Sequence, residues 1–129
     1  MKKILFAVFI AALAGPAFAH HSGAMFDHTK MITVRGTVKE FQYTNPHSWL
    51  EVMVLEPNGT AVQWGFESEG PSSLLRAGIT AKTFRPGDRV TVVASPMRDG
   101  RPAGSLISAT KADGTVYRLF SGPKPARSH

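Results

Sequence analysis

The sequence predicts an all-β domain with one short helix, and three observations lead to this fold class. Apolar and polar residues alternate with a period of two along most of the chain, which is typical of strands with one buried face. Short segments rich in Pro, Gly, Asn and Asp separate these stretches, as tight turns require. The 129 residues are enough for one domain, and 43% hydrophobic residues argue against a disordered chain.

The first three predicted strands form a meander. Residues 30–43 alternate around Gly36, where we expect a bulge or a sharp bend. Residues 47–56 follow a Thr-Asn-Pro turn, and residues 60–67 follow a Pro-Asn-Gly turn. The pattern therefore predicts three neighbouring antiparallel strands joined by short turns.

The alternation also assigns side chains to faces. On the second strand it places His47 and Trp49 opposite the apolar face, and on the third it groups Trp64 with Phe66.

A short helix and two or three further strands complete the predicted order. Residues 70–78 read GPSSLLRAG, with Pro near the start and Gly at the end, as a short helix requires. Strands are predicted at 89–95 and 104–111, and a last hairpin leads into residues 115–120. This order is that of the OB-fold, a Greek-key barrel of five to six strands with a helix between the third and fourth. An open sandwich is the rival topology.

The first 19 residues have the pattern of a secretory signal peptide. Two lysines precede an apolar run at residues 4–13, and an Ala-Phe-Ala motif ends at Ala19. The run is too short for a membrane-spanning helix. Cleavage after Ala19 would leave 110 residues and lower the formal charge from +6 to +4. We therefore expect an exported bacterial protein, periplasmic or secreted, with no membrane span after processing.

The chain divides into four predicted segments. These are the signal peptide at 1–19, a His-rich N-terminal arm at 20–29, the barrel domain at 30–120 and a disordered tail at 121–129. Because the chain has no Cys, disulfides, thiol catalysis and Cys-ligated metal centres are excluded.

Four of the five histidines lie close together in the sequence, at His20, His21, His28 and His47. Cleavage after Ala19 would give His20 a free α-amino group, so that its amine and ring could chelate one metal ion. A further imidazole would complete a site of three nitrogen ligands. Cu(II) prefers nitrogen ligands in near-planar geometry and binds most tightly among the divalent first-row metals. The histidines therefore predict a copper site.

His47 is the first candidate for the third ligand, because it stands at the start of a strand. His28 is the next candidate, and His21 could bind through the amine and the intervening amide. The alternatives are structural: an exposed His is tolerated after a cleavage site, and His47 could cap a turn. Met25 and Met53 could offer thioethers to Cu(I), although a Met near a strand usually fills the core.

A ligand surface without metal is the alternative to the copper site. Tyr43, Asn45, Trp49 and Trp64 could together bind a small envelope ligand or a partner protein. Nucleic acid is not the expected partner, since the processed chain would carry an excess of only four positive charges and is expected outside the cytoplasm.

The sequence assigns no catalytic residue. It contains neither a Gly-rich phosphate loop nor a nucleophile elbow nor a H-E-x-x-H motif. Glu67 and Glu69 would share a strand face and could act as an acid–base pair, but a solvated strand end explains them better.

The chain resembles a family of small exported bacterial proteins known only as a domain of unknown function. The matching stretches are AHHS at 19–22, FD at 26–27, RGTVKEFQYTNPHSWLEV at 35–52, ExGPxxLxRxG at 67–78, RPGDRV at 85–90 and PxRDG at 96–100. The NPHSW element at 45–49 is the most specific of them. The resemblance implies export and a compact β-barrel but no activity. The chain is also loosely similar to periplasmic OB-fold domains, which are ligand-binding or stress-related modules.

From the residues we expect a periplasmic binding module that holds copper through His20 and His47. The alternatives are a copper-dependent oxidative enzyme with the same site, and a metal-free domain for an envelope ligand or protein.

Overall fold

A computed structural model describes residues 22–119 of the chain. The elements are a 3-10 helix at Ser22–Met25, β1 at Ile32–Gln42, β2 at Trp49–Leu55, β3 at Ala61–Glu67, α1 at Pro71–Arg76, β4 at Arg89–Pro96, β5 at Ala103–Lys111 and β6 at Val116–Arg118. The bounds of the strands and of α1 differ from the predicted ones by at most two residues. The predicted signal peptide, His20, His21 and the tail at 121–129 lie outside the described residues.

The strands form one sheet that closes into a barrel. Their order is β3-β2-β1-β4-β5-β6, and an additional parallel pairing joins β3 to β5. This pairing aligns Phe66 with Gly104 and Glu67 with Ser105, and it closes five strands while β6 extends the sheet. With α1 between β3 and β4, the predicted OB-like Greek-key barrel is confirmed, and the open sandwich is excluded.

Strand β1 belongs to both halves of the barrel. Its first half pairs with β4 and its second half with β2, and the two pairings meet at Thr37. A Cβ on Gly36 would collide with the carbonyl oxygen of Met53 and the side chain of Val52. Gly36 is therefore a point of close approach, because only a residue without a side chain allows β2 to come this near. A register irregularity follows between Val38 and Glu40.

The barrel interior is apolar. Its fully buried side chains come from every strand of the closed barrel and from α1, and they include Leu50, Val52, Phe66, Leu74, Val92 and Leu106. Burying such side chains stabilises the fold by roughly 1.5–3 kcal/mol each. The alternation seen in the sequence thus places its apolar face inside.

The described part of the N-terminal arm packs on the outside of the barrel. Phe26 is 1% exposed and forms an antiparallel bridge with Met97. The amide of Asp27 donates to the carbonyl of Pro96 at 2.8 Å, and the amide of Arg98 donates to the carbonyl of Met25 at 2.9 Å. The arm therefore extends the domain as a small second cluster outside the main core.

Between residues 22 and 119 we find no helix with the length and apolar character that crossing a bilayer would need.

Candidate functional site

The site begins in the loop between β1 and β2, which carries His47. The hydroxyl of Thr44 donates to the carbonyl of His47 at 3.0 Å, and the amide of Thr44 donates to the hydroxyl of Ser48 at 3.3 Å. The Asn45–Pro46 peptide bond in this loop is cis. These contacts fold the loop on itself and fix the backbone on both sides of His47.

The segment after β3 packs directly against this loop. The amide of Ser48 donates to the carbonyl of Glu69 at 3.2 Å, and the amide of Ser68 donates to the carbonyl of Ser48 at 2.8 Å. A Cβ on Gly70 would lie 2.6 Å from the carbonyl oxygen of Pro46, so Gly is required there for the two segments to meet. The loop with His47 is thereby held beside the end of β3.

At that meeting point His47 contacts a buried carboxylate. Nδ1 of His47 lies 2.7 Å from Oε1 of Glu67, whose side chain is 3% exposed, while the imidazole is 36% exposed. Since an ionised carboxylate only accepts hydrogen bonds, Nδ1 carries the proton of this contact. Nε2 of a neutral His47 ring then keeps its lone pair. Glu67 thus fixes the orientation of the His47 imidazole, and Nε2 is the ring nitrogen that can bind a ligand.

Glu67 is the residue whose role the sequence did not predict. It was grouped with Glu69 as two side chains on one strand face, but β3 ends at Glu67, and the carbonyl of Glu69 accepts a bond from the His47 loop instead. The sequence indicates only that Glu67 is the last residue of an alternating stretch. A carboxylate on the outer face is ordinary at such a position, so it does not indicate a partner. Its partner His47 comes twenty residues earlier.

Trp49 stands beside the pair. It is the register partner of Glu67 on the outer face, half-buried, and lines a cavity of about 390 Å³ together with Met25 and Met97. The arm and the start of β2 therefore meet at one place.

The other predicted site residues lie elsewhere. The hydroxyl of Tyr43 lies 2.9 Å from the carbonyl oxygen of Pro71 and 3.0 Å from that of Ile79, so it ties β1 to both ends of the helical segment. Asn45 is exposed on the loop with His47. Of the four residues predicted as a ligand surface, Trp49 and Asn45 lie near the pair, whereas Tyr43 packs against the core.

Trp64 lies on the core side of β3. It stacks on Phe66 with ring centroids 5.9 Å apart and an interplanar angle of 15°. Its buried Nε1 has no hydrogen-bond partner within residues 22–119. Trp64 and Trp49 therefore lie on opposite sides of the barrel wall.

His28 lies on the arm, half-buried, with its ring edge-on to Phe26 at 6.2 Å. In the described part of the chain no three His, Asp or Glu side chains gather as a metal site. Of the four predicted histidine ligands, His28 and His47 therefore lie within the described residues, and the contact with a buried carboxylate is made by His47.

A second surface lies on the other side of the barrel. A groove of about 430 Å³, here called the cationic groove, runs over β1, β4, β5 and the end of β2 and includes Arg35, Arg89 and Lys111. Nζ of Lys111 lies 3.2 Å from a carboxylate oxygen of Asp88, and the backbone amide of Arg85 also bonds that carboxylate. Together these contacts hold the pKa of Asp88 below its usual value, the amide of Arg85 having the larger effect.

Comparison with protein families finds one match: residues 7–107 fit the model of a family of unknown function, DUF6152. The comparison with curated proteins found no match, and the comparison with solved structures found none either.

Proposed function

Because the chain belongs to DUF6152, a family of unknown function, we propose its function from its own site: an exported, periplasmic copper-binding module. In this proposal Cu(II) is held by the α-amine and ring of His20 and by Nε2 of His47. Glu67 orients the His47 ring.

The contact between His47 and Glu67 is the observation that carries the proposal. In metal-ligating imidazoles the N–H of the second ring nitrogen usually donates a hydrogen bond to a carboxylate or carbonyl. This bond fixes the tautomer and raises the basicity of the ligand atom. Burying a carboxylate to 3% exposure costs free energy. The Glu67 carboxylate lies 2.7 Å from Nδ1 of His47, so it can hold the imidazole in one tautomer and orientation. A His that only capped a turn would not require it.

The course of the arm supports His20 as the second contributor. Met25 lines the same cavity as Trp49, which is two residues from His47. Residues Ser22–Met25 form a 3-10 helix, which rises about 2 Å per residue. In this proposal His20 and His21 precede that helix and bring the amine to the imidazole of His47, while Phe26 stays paired with Met97.

The choice of copper follows from the ligand types. No thiolate is available, because the chain has no Cys, and the proposed ligands are two imidazoles and one amine. Cu(II) prefers such nitrogen sets and heads the affinity order of divalent metals, followed by Zn(II). Export is part of the proposal, because only cleavage after Ala19 creates the amine.

The test starts from protein exported with its own N-terminus. Mass spectrometry should give His20 as the first residue, and titration with Cu(II) should give an axial, nitrogen-rich electron paramagnetic resonance spectrum. His47→Ala should lower the Cu(II) affinity at least tenfold, corresponding to about 1.4 kcal/mol. His129→Ala is the matched control, since it removes an imidazole from the predicted tail.

Three outcomes would contradict the proposal. A chain starting at another residue would remove the amine ligand. A Cu(II) affinity that is unchanged in His47→Ala would exclude the ring as a ligand. A Cu(II) affinity that falls in His28→Ala but not in His47→Ala would assign the third nitrogen to the arm instead.

A further inference from the structure

The cavity between the arm and the barrel is lined by two methionines and a tryptophan. Met25, Met97 and Trp49 face it, and no carboxylate is among its lining residues. The two other methionines within residues 22–119 lie apart from it: Met31 is 71% exposed, and Met53 lines the cationic groove. Two methionine residues thus line one cavity of about 390 Å³.

Backbone hydrogen bonds hold these two methionines in place. The carbonyl of Met25 accepts from the amide of Arg98 at 2.9 Å, and the amide of Met97 donates to the carbonyl of Ala103 at 3.2 Å. The bridge between Phe26 and Met97 lies between these contacts. The backbone positions of the two residues are therefore fixed by contacts among the described residues and do not depend on residues ahead of Ser22.

The exposure of the two side chains differs in a way that suits binding. Met97 is 9% exposed and pairs with Phe26 outside the main core, whereas Met25 is 41% exposed. Met25 therefore stays open to solvent beside the cavity, whereas Met97 is covered. The pair offers one fixed donor at the back and one flexible donor at the entrance.

The donor atoms select the class of ligand. Thioethers are soft, uncharged ligands that favour Cu(I) over Zn(II), Ca(II) or Mg(II). The indole of Trp49 can contribute through its face, because Trp is the strongest aromatic partner of a cation. Arg101 also lines the cavity, but its Nε lies 2.7 Å from a carboxylate oxygen of Asp99, which offsets its charge.

We infer that this cavity is a Cu(I) site in which Met25 and Met97 supply the sulfur ligands and Trp49 covers the ion. It goes beyond the proposed function, because it uses neither the amine of His20 nor any imidazole. Trp49 is the register partner of Glu67, so the sulfur site lies next to the nitrogen site. The module would hold the two oxidation states of copper on neighbouring ligand sets.

The test uses Ag(I) as an air-stable probe with the same preference for soft ligands. In the exported protein with carbon-13-labelled methionine methyl groups, Ag(I) should shift the resonances of Met25 and Met97 until one equivalent is bound. The resonances of Met31 and Met53 should not move. The indole N–H resonance of Trp49 should shift, and that of Trp64 should stay.

Substitutions separate specific from general thioether binding. Met25→Leu and Met97→Leu should each lower the Ag(I) affinity at least about tenfold, while Met31→Leu should leave it unchanged. Leucine nearly conserves volume, so the fold is retained. Equal shifts of all four methyl resonances, or no shift with excess Ag(I), would overturn the inference.

The two sites fail independently. His47→Ala should leave the Ag(I) shifts intact, and the double variant Met25→Leu/Met97→Leu should keep the Cu(II) resonance spectrum. A protein that binds Ag(I) at the methionines but gives no nitrogen-rich Cu(II) spectrum would retain the sulfur site and refute the proposed function. The reverse result would refute the sulfur site alone.

Discussion

The outer wall of the barrel presents two surfaces that differ in the exposure of their charged side chains. On the surface formed by β2, β3 and β5, Glu67 and Ser105 are in register and are 3% and 2% exposed. On the surface formed by β1, β4 and β5, Arg35 and Arg89 line an open groove and are exposed. One barrel thus buries a charge on one side and leaves charges in water on the other.

The difference shows which charge is informative about function. An exposed Arg costs little, so its position is weakly constrained. A buried carboxylate is costly unless it is paired, and losing its partner is more costly still. The pairing of Glu67 with His47 is therefore a specific feature of this fold, and it directs attention to the surface with the arm rather than to the larger groove.

The largest expected effect comes from uncovering the surface that the arm packs on. Phe26→Ala should lower the free energy of unfolding by about 3 kcal/mol or more, because it removes a fully buried aromatic side chain. Leu55→Ala, at a side chain 73% exposed, should change it by less than about 0.5 kcal/mol. Urea denaturation measures both. A loss below about 1 kcal/mol in Phe26→Ala would show that the arm is not part of the cooperative unit.

The next effect tests the buried carboxylate. Glu67→Ala should lower the Cu(II) affinity about 10- to 100-fold, because the His47 ring loses the partner that fixes its tautomer. Glu51→Ala is the control on the neighbouring strand, where the carboxylate accepts from Nε2 of Gln63 at 2.9 Å. Calorimetric titration should give an unchanged affinity for that control. Equal losses in both variants would indicate a general electrostatic effect.

A smaller effect is expected from pH on the opposite surface. The pKa of Asp88 is lowered, first by the amide of Arg85 and further by Lys111. Because its folded pKa lies below its unfolded value, its stabilisation is complete above the unfolded pKa of about 3.9 and is lost as pH falls through the folded pKa.

Asp88→Asn measures this contribution. The difference in unfolding free energy between the native protein and this variant should be at most about 1 kcal/mol at pH 7. It should shrink as the pH falls below 4. A difference that stays constant down to the lowest pH of a reversible transition would contradict the assignment.

The smallest effect is expected in the cationic groove itself. Arg35→Ala and Arg89→Ala should each change the free energy of unfolding by less than about 0.5 kcal/mol, as exposed surface substitutions usually do. Their Cu(II) and Ag(I) affinities should match those of the native protein. A copper affinity that falls in either variant would show that the groove and the proposed copper site are energetically coupled.

The strands and the helix could be predicted because their signals are local. Alternation, turn residues and the Gly-Pro-Ser start of α1 depend only on neighbours within a few residues. The barrel followed from the order of these elements. The parallel pairing of β3 with β5 was not predicted, since no local pattern marks it.

The site could be predicted only in part, because its contacts join distant residues. His47 was identified from its own chemistry, but Glu67 lies twenty positions away at the end of another strand. The packing of Phe26 against Met97 joins segments about seventy residues apart, and no sequence pattern near Phe26 predicts it. The alternation predicts Trp64 on the same face as Phe66, whereas the ligand-surface hypothesis places Trp64 with Trp49. The structure supports the first grouping, because Trp64 packs against the core, and successive side chains of a strand point to opposite faces.

The close approach of Gly70 to Pro46 has a consequence for motion. Helix α1 is six residues long and too short to persist by itself, so it depends on buried Leu74 and on the hydroxyl of Tyr43. Because Gly70 immediately precedes α1, we expect the helix and the loop with His47 to open together as one local unit. The rate at which the amide hydrogen of Ile79 exchanges with solvent would then report how often the imidazole leaves its carboxylate.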